Sequence, residues 1–196
     1  MFTEGHVEVD GVRVRYLEAG QGVPLVHFGA DLSTASPAHD LLARRFRVMA
    51  FETPPIAKAI ERLGLADFDL LATGGASTAA LWFALREPER VRALVLEAPT
   101  TLRRDGSAPP DPELERRLSE VTTPTLVLFG TADGAAAQDT GRVYTGLIPN
   151  SHLVFVYDAA AAIGRDRPEA FAEVVTDFLE RHEAFIISRT PTVIHP

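Results

Sequence analysis

The sequence contains no cysteine. Disulfides and thiolate metal sites are therefore excluded, and the composition fits a reducing cytoplasm. Lysine is nearly absent too: Lys58 is the only one among 19 basic residues. The arginines are scattered, so there is no basic stripe for nucleic acid and no polybasic patch for a membrane surface. No apolar run approaches the roughly 18 residues of a membrane span, and no apolar signal-type core opens the chain. No histidines stand at the i, i+4 spacing of a helical metal site and no His-x-His occurs, so neither a metal nor a cofactor is expected. What is abundant is acid: 27 Asp and Glu give a net charge of −8. The lysine deficit, beside frequent Ala, Gly, Pro and Arg, points to a GC-rich bacterial genome and says nothing about function. At 196 residues, 46% of them hydrophobic, the chain has the length and composition of one globular domain.

Hydrophobic periodicity supplies the elements. His6 to Val9 and Val12 to Leu17 alternate with period 2 around Asp10-Gly11, a hairpin signal. Pro24 to Phe28, Phe46 to Phe51, Phe68 to Leu71, Arg92 to Leu96, Thr125 to Phe129 and Leu153 to Tyr157 read as buried strands. Helical segments are expected at Ala38 to Arg45, Ile56 to Leu63 (opened by Pro54-Pro55), Pro112 to Glu120 and Arg167 to His182. The expected fold class is α/β: a mostly parallel sheet of about eight strands, an antiparallel N-terminal hairpin and helices on both faces. Residues 1–183 form the expected single domain. Residues 184–196 form an apolar tail that docks on the body or on a second subunit, making a homodimer an expectation.

The segment Phe68 to Val91 carries the chemistry. An apolar strand ends in Ala72-Thr73-Gly74-Gly75-Ala76, and an alanine-rich helix follows. Strand, sharp glycine turn and helix is the layout of a nucleophile elbow. Together with VRVRYLEAGQGVPLV, LLARRFRVMAFE, ALREPERVRALVLEAP, TPTLVLFGTAD and RPEAFAEVVTDFLER, this segment resembles the α/β-hydrolase superfamily over about residues 7 to 182. The resemblance implies a Ser-Asp-His triad in that chain order. The nucleophile position falls on Gly74, the acid on Asp133 and the histidine on about Ala161. It also implies an oxyanion-hole region at His27-Phe28-Gly29 and a cap shortened to about residues 100–121. Without hydroxyl and imidazole, Asp133 has nothing to orient, so a degenerate triad is expected.

The candidates each have a plain structural role beside a chemical one. Ser77 fits a relaxed G-x-S-x-A pattern as a rival nucleophile, but stands three residues past the turn, where it would cap or pack. Glu52 and Glu97 follow strand ends and serve as general bases if burial raises them, or as solvated loop carboxylates otherwise. His27 is a pocket histidine or a satisfied buried one, and His39 belongs to a surface helix or loop. Thr73 and Thr78 contact a ligand or stabilise the turn, and Trp82 and Phe83 belong to the core. The expected pocket is His27, Phe28, Gly29, Thr73, Gly74, Gly75, Asp133 and Ala161. Three readings stay open: a non-hydrolytic protein binding a small apolar molecule or partner, a lyase, cyclase or isomerase using pocket carboxylates or His27, and a residual esterase through Ser77.

Overall fold

Asp10 and Gly11 both take positive φ (50° and 78°), the geometry of a two-residue hairpin turn. That turn joins β1 (Thr3–Val9) to antiparallel β2 (Val12–Ala19). The computed structural model describes residues 1–29, 36–51, 56–102, 111–185 and 193–194. From the hairpin onward, strands and helices alternate: β3 (Pro24–Phe28), α1 (Pro37–Leu42), β4 (Arg47–Phe51), α2 (Ile56–Arg62), β5 (Phe68–Thr73), α3 (Ser77–Arg86) and β6 (Val91–Glu97). Then come α4 (Pro112–Arg117), β7 (Thr125–Gly130), α5 (Ala135–Leu147), β8 (Ser151–Val156), α6 (Ile163–Asp166), α7 (Pro168–Arg181) and the two-residue β9 (Val193–Ile194).

The sheet order is β1-β2-β4-β3-β5-β6-β7-β8-β9. Pairing is antiparallel through β1, β2 and β4, and parallel in every pair from β4 to β9. The expected mostly parallel sheet with its N-terminal hairpin is therefore present. Alternating strand residues feed two apolar layers. Val26, Leu70, Leu96 and Val127 pack with Ile60, Leu81, Leu114 and Tyr144 from α2, α3, α4 and α5. Leu25, Leu71, Val95 and Leu128 pack with Leu42, Ile163 and Phe178 from α1, α6 and α7. Helices thus cover both faces.

Two helices go beyond the sequence expectation. Residues 135–147, which have no strong helical pattern, form α5, and residues 163–166 form α6. Part of the tail docks on the body: Phe185 stacks edge-on against Phe178 and His152, while Val193–Ile194 adds to the free edge of β8. Among the described residues, no helix is long and apolar enough to cross a membrane.

Candidate functional site

β5 delivers Thr73 to the C-terminal edge of the sheet, where a tight turn (Gly74–Ala76) leads straight into α3. Gly74 has φ +56°, which costs an L side chain about 1–2 kcal/mol. A Cβ built on Gly74 meets no atom of a described residue within 4 Å. The turn thus has elbow geometry and open space where a side chain would stand. Gly29, at φ +81°, closes the other wall. A Cβ there would lie 2.6 Å from the Ala76 Cβ, so only glycine lets the end of β3 lie this close to the turn.

Beneath the turn runs a chain of hydrogen bonds through five elements. In the parallel register Thr73 stands opposite Glu97, the last residue of β6, so neighbouring strands bring the two side chains together. The Thr73 hydroxyl donates to Glu97 Oε2 at 2.8 Å. The other carboxylate oxygen, Oε1, accepts from Gly164 N–H of α6 at 2.8 Å. On its far side Thr73 Oγ1 lies 2.7 Å from His27 Nε2 of β3, and His27 Nδ1 lies 2.7 Å from His39 Nε2 of α1. His39 Nδ1 in turn accepts from the Ser36 backbone N–H at 3.1 Å.

That last bond sets the direction of all the others. An Nδ1 that accepts leaves the hydrogen on His39 Nε2, which donates to His27 Nδ1. His27 then carries its hydrogen on Nε2 and donates to Thr73, which donates to Glu97. Every donor points from Ser36 towards Glu97. Burial supports neutral rings. It pushes His27 well below the ordinary imidazole range, with His39 as a second cause, and pushes His39 down to about 4. Burial also raises Glu97, against the lowering effect of its hydrogen bonds from Gly164 and Thr73. His27, His39 and Glu97 are 4%, 8% and 6% exposed, whereas Thr73 is half-buried. Thr73 is where this chain reaches the turn.

The structure assembles part of the expected set. His27, Thr73 and Glu97 come together, and Glu97 is a buried, doubly bonded carboxylate rather than a solvated loop residue. His39 is a correction: it is buried, with its ring tilted against that of His27, centroids 4.9 Å apart. Asp133 is half-buried at the end of β7. Its turn packs on the loop after β8, with Ala132 N–H donating to Ala159 O at 2.9 Å and Asp158 N–H to Thr131 Oγ1 at 3.0 Å. Ala161 follows in that loop and is exposed. Neither Asp133 nor Ala161 belongs to the hydrogen-bonded chain. Ser77 is wholly buried at the start of α3, its hydroxyl without a partner among the described residues; that suits packing and offers a substrate no access. Glu52 lies outside the described residues.

An apolar cavity of about 400 Å³ lies between α2 and α3. Of the expected pocket residues only Phe28 lines it, alongside Ile56, Ala79, Trp82, Phe83 and Arg86. Trp82 packs on the margin of the core: it is half-buried, donates Nε1–H to Asp111 at 2.9 Å, and carries Arg86 and Arg117 on its ring. Asp111 also caps α4 by accepting from Leu114 N–H. Among the described residues, no group of three His, Asp or Glu is placed to hold a metal ion.

No family model and no curated protein matches the chain. Solved structures do. A membrane phospholipase A described as a bacterial virulence factor superposes with TM-score 0.77 at 18% identity, over 91% of this chain and 86% of that one. A serine hydrolase involved in carbazole degradation gives 0.74 at 20%, over 92% and 99%. Carboxylesterase CesB from Bacillus subtilis gives 0.75 at 16%, over 91% and 92%. At these identities the likeness is one of fold, and that fold is the α/β-hydrolase fold.

Proposed function

We propose that this chain, with the fold of the α/β-hydrolases, holds a small ligand at its glycine elbow without serine-hydrolase chemistry. The observation that carries the reading is Gly74. The turn keeps the positive φ of an elbow and leaves room for a side chain, yet no atom stands there to attack a carbonyl. Ala161 at the expected histidine position and the burial of Ser77 support it. The ligand is a small, largely apolar molecule.

The test is direct. A p-nitrophenyl ester and a fluorophosphonate probe are expected to leave the protein unchanged, while a metabolite panel contains a compound that raises Tm. A ligand at 100 times its Kd adds about 2.7 kcal/mol. Ester turnover abolished by Ser77→Ala would overturn the reading. Residues 184–196 are proposed as a homodimer contact, since an added edge strand presents unpaired backbone groups. Light scattering on a chain ending at residue 185 should then give a smaller mass than on the full chain.

A second reading has its own observation. The aligned chain His39–His27–Thr73–Glu97 is more wiring than a binding pocket needs, and buried carboxylates of raised pKa are the usual bases of proton-transfer enzymes. It favours a non-hydrolytic enzyme of the isomerase or lyase type. Loss of activity on a native metabolite in Glu97→Gln, with Tm preserved, would support it.

A further inference from the structure

Resting on this second reading, we infer that Thr73 is the catalytic group that meets the ligand, taking its acidic hydrogen while passing its own proton to Glu97. The site then takes a small enolisable carbonyl compound, or a phenol resembling its enol.

The hydrogen-bond count at one atom leads here. A threonine hydroxyl donates once and accepts twice. Thr73 donates to Glu97 and accepts from His27. One lone pair is left, so a ligand reaching this oxygen must bring a hydrogen. Access is from the turn: Thr73 is the half-buried member of the chain, and no described residue comes within 4 Å of a Cβ built on the neighbouring Gly74. His27 cannot reverse its role, because the Ser36 N–H fixes the tautomer of His39 and through it that of His27. The Thr73 proton therefore has one destination, Glu97 Oε2.

The step balances without any other reagent. The ligand's C–H or O–H bond breaks, its proton bonds to Thr73 Oγ1, and the electron pair stays on the ligand as an enolate or phenolate. The original Thr73 proton bonds to Glu97 Oε2, turning carboxylate into carboxylic acid. Afterwards the new acid donates to Thr73, Thr73 donates to the ligand anion, and His27 still donates to Thr73. Every polar atom is satisfied before and after. Reversal at a different ligand atom completes an isomerisation. α3, ten residues long, begins at the same turn and presents its partly positive end to the anion. Burial raises Glu97 and so strengthens it as the final acceptor, and Asp166 of α6 acts in the same direction. The other titratable groups of the chain, His27 from β3 and His39 from α1, stay neutral and donate no charge.

The probe is 4-nitrophenol added to the full chain at a pH about one unit below the dye's own pKa. In the wild type the bound dye is expected to show phenolate absorption, with a protonated-carboxyl C=O band in the infrared difference spectrum and no proton released to the buffer. Thr73→Val should bind the dye as neutral phenol, about tenfold more weakly, with no carboxyl band; Thr73→Ser should restore both signals. Glu97→Gln should lose the band and the ionisation together. Equal ionisation in wild type and a folded Thr73→Val overturns the route through Thr73. A wild type that binds the dye only as neutral phenol overturns the transfer and leaves binding intact. A wild type that does not bind the dye overturns the ligand class. Ester hydrolysis, by contrast, counts against the absence of serine chemistry and not against the shuttle.

Discussion

Glu97 and Asp69 are carboxylates buried at opposite ends of one sheet, on adjacent strands, and they are held in contrasting ways. Glu97 closes β6 with a donor on each oxygen. Asp69, near the start of β5, is 1% exposed and neither oxygen has a hydrogen-bond partner among the described residues. Arg92 Nε and His182 Nε2 each stand 3.9 Å from its Oδ1. Burial raises both acids. For Glu97 the opposing influence is a set of short bonds; for Asp69 it is chiefly the Arg92 charge, and the net result is about 7. Depth alone therefore does not mark a site. The two ends differ in whether the buried carboxylate's oxygens find donors.

The largest expected effect falls at the Asp69 end. A carboxyl raised from 3.8 to about 7 costs stability as pH climbs through that window, because the unfolded chain gives up its proton first. At 1.36 kcal/mol per unit the loss is about 4 kcal/mol by pH 7. Asp69→Asn should remove this loss, raising the urea midpoint above wild type at about pH 8 and leaving the two close at about pH 4. Matching pH profiles would erase the contrast between the two ends.

His39 gives the opposite slope. Its drop from 6.5 to about 4 means the unfolded ring takes up a proton first as pH falls. Stability is full above about 6.5 and declines by about 3 kcal/mol on reaching 4. His27 shifts in the same direction. The two ends oppose each other within one pH window, so wild-type stability is flatter than either alone. Urea titrations of His39→Gln should expose a decline with rising pH, and those of Asp69→Asn an increase.

A smaller effect belongs to Glu97→Ala, which strands the Gly164 N–H and the Thr73 hydroxyl and should cost about 2 kcal/mol in chemical denaturation. The smallest belongs to Gly74→Ser. Its open surroundings limit the loss to about 1 kcal/mol of backbone strain, and p-nitrophenyl ester hydrolysis should stay absent until Ala161→His is added.

Most strands were legible because their apolar runs are closed by glycine or proline, and the hairpin because Asp10-Gly11 favours one turn. α5 was not. AAAQDTGRVYTGL contains two glycines, and one of them acts only through tertiary packing: a Cβ at Gly141 would lie 2.7 Å from Leu153 Cδ1. This helix exists because it fits against β8, which local propensity does not report. At the site, His27 and Glu97 were legible as strand-end residues. The chain joining them was not, since its links span 12, 46 and 24 positions. His39 sits in a polar stretch that reads as surface, and only the seating of α1 buries it. The Thr73–Glu97 contact follows from parallel register, which no local pattern encodes.

The empty space at Gly74 has a practical consequence. The chain has no thiol of its own, so Gly74→Cys would create a single conjugation point in this chain, beside Thr73 and clear of the described residues. A fluorophore or spin label attached there would stand at the threshold of the hydrogen-bonded chain and report on whatever arrives. The missing side chain makes this turn a natural place to install a sensor.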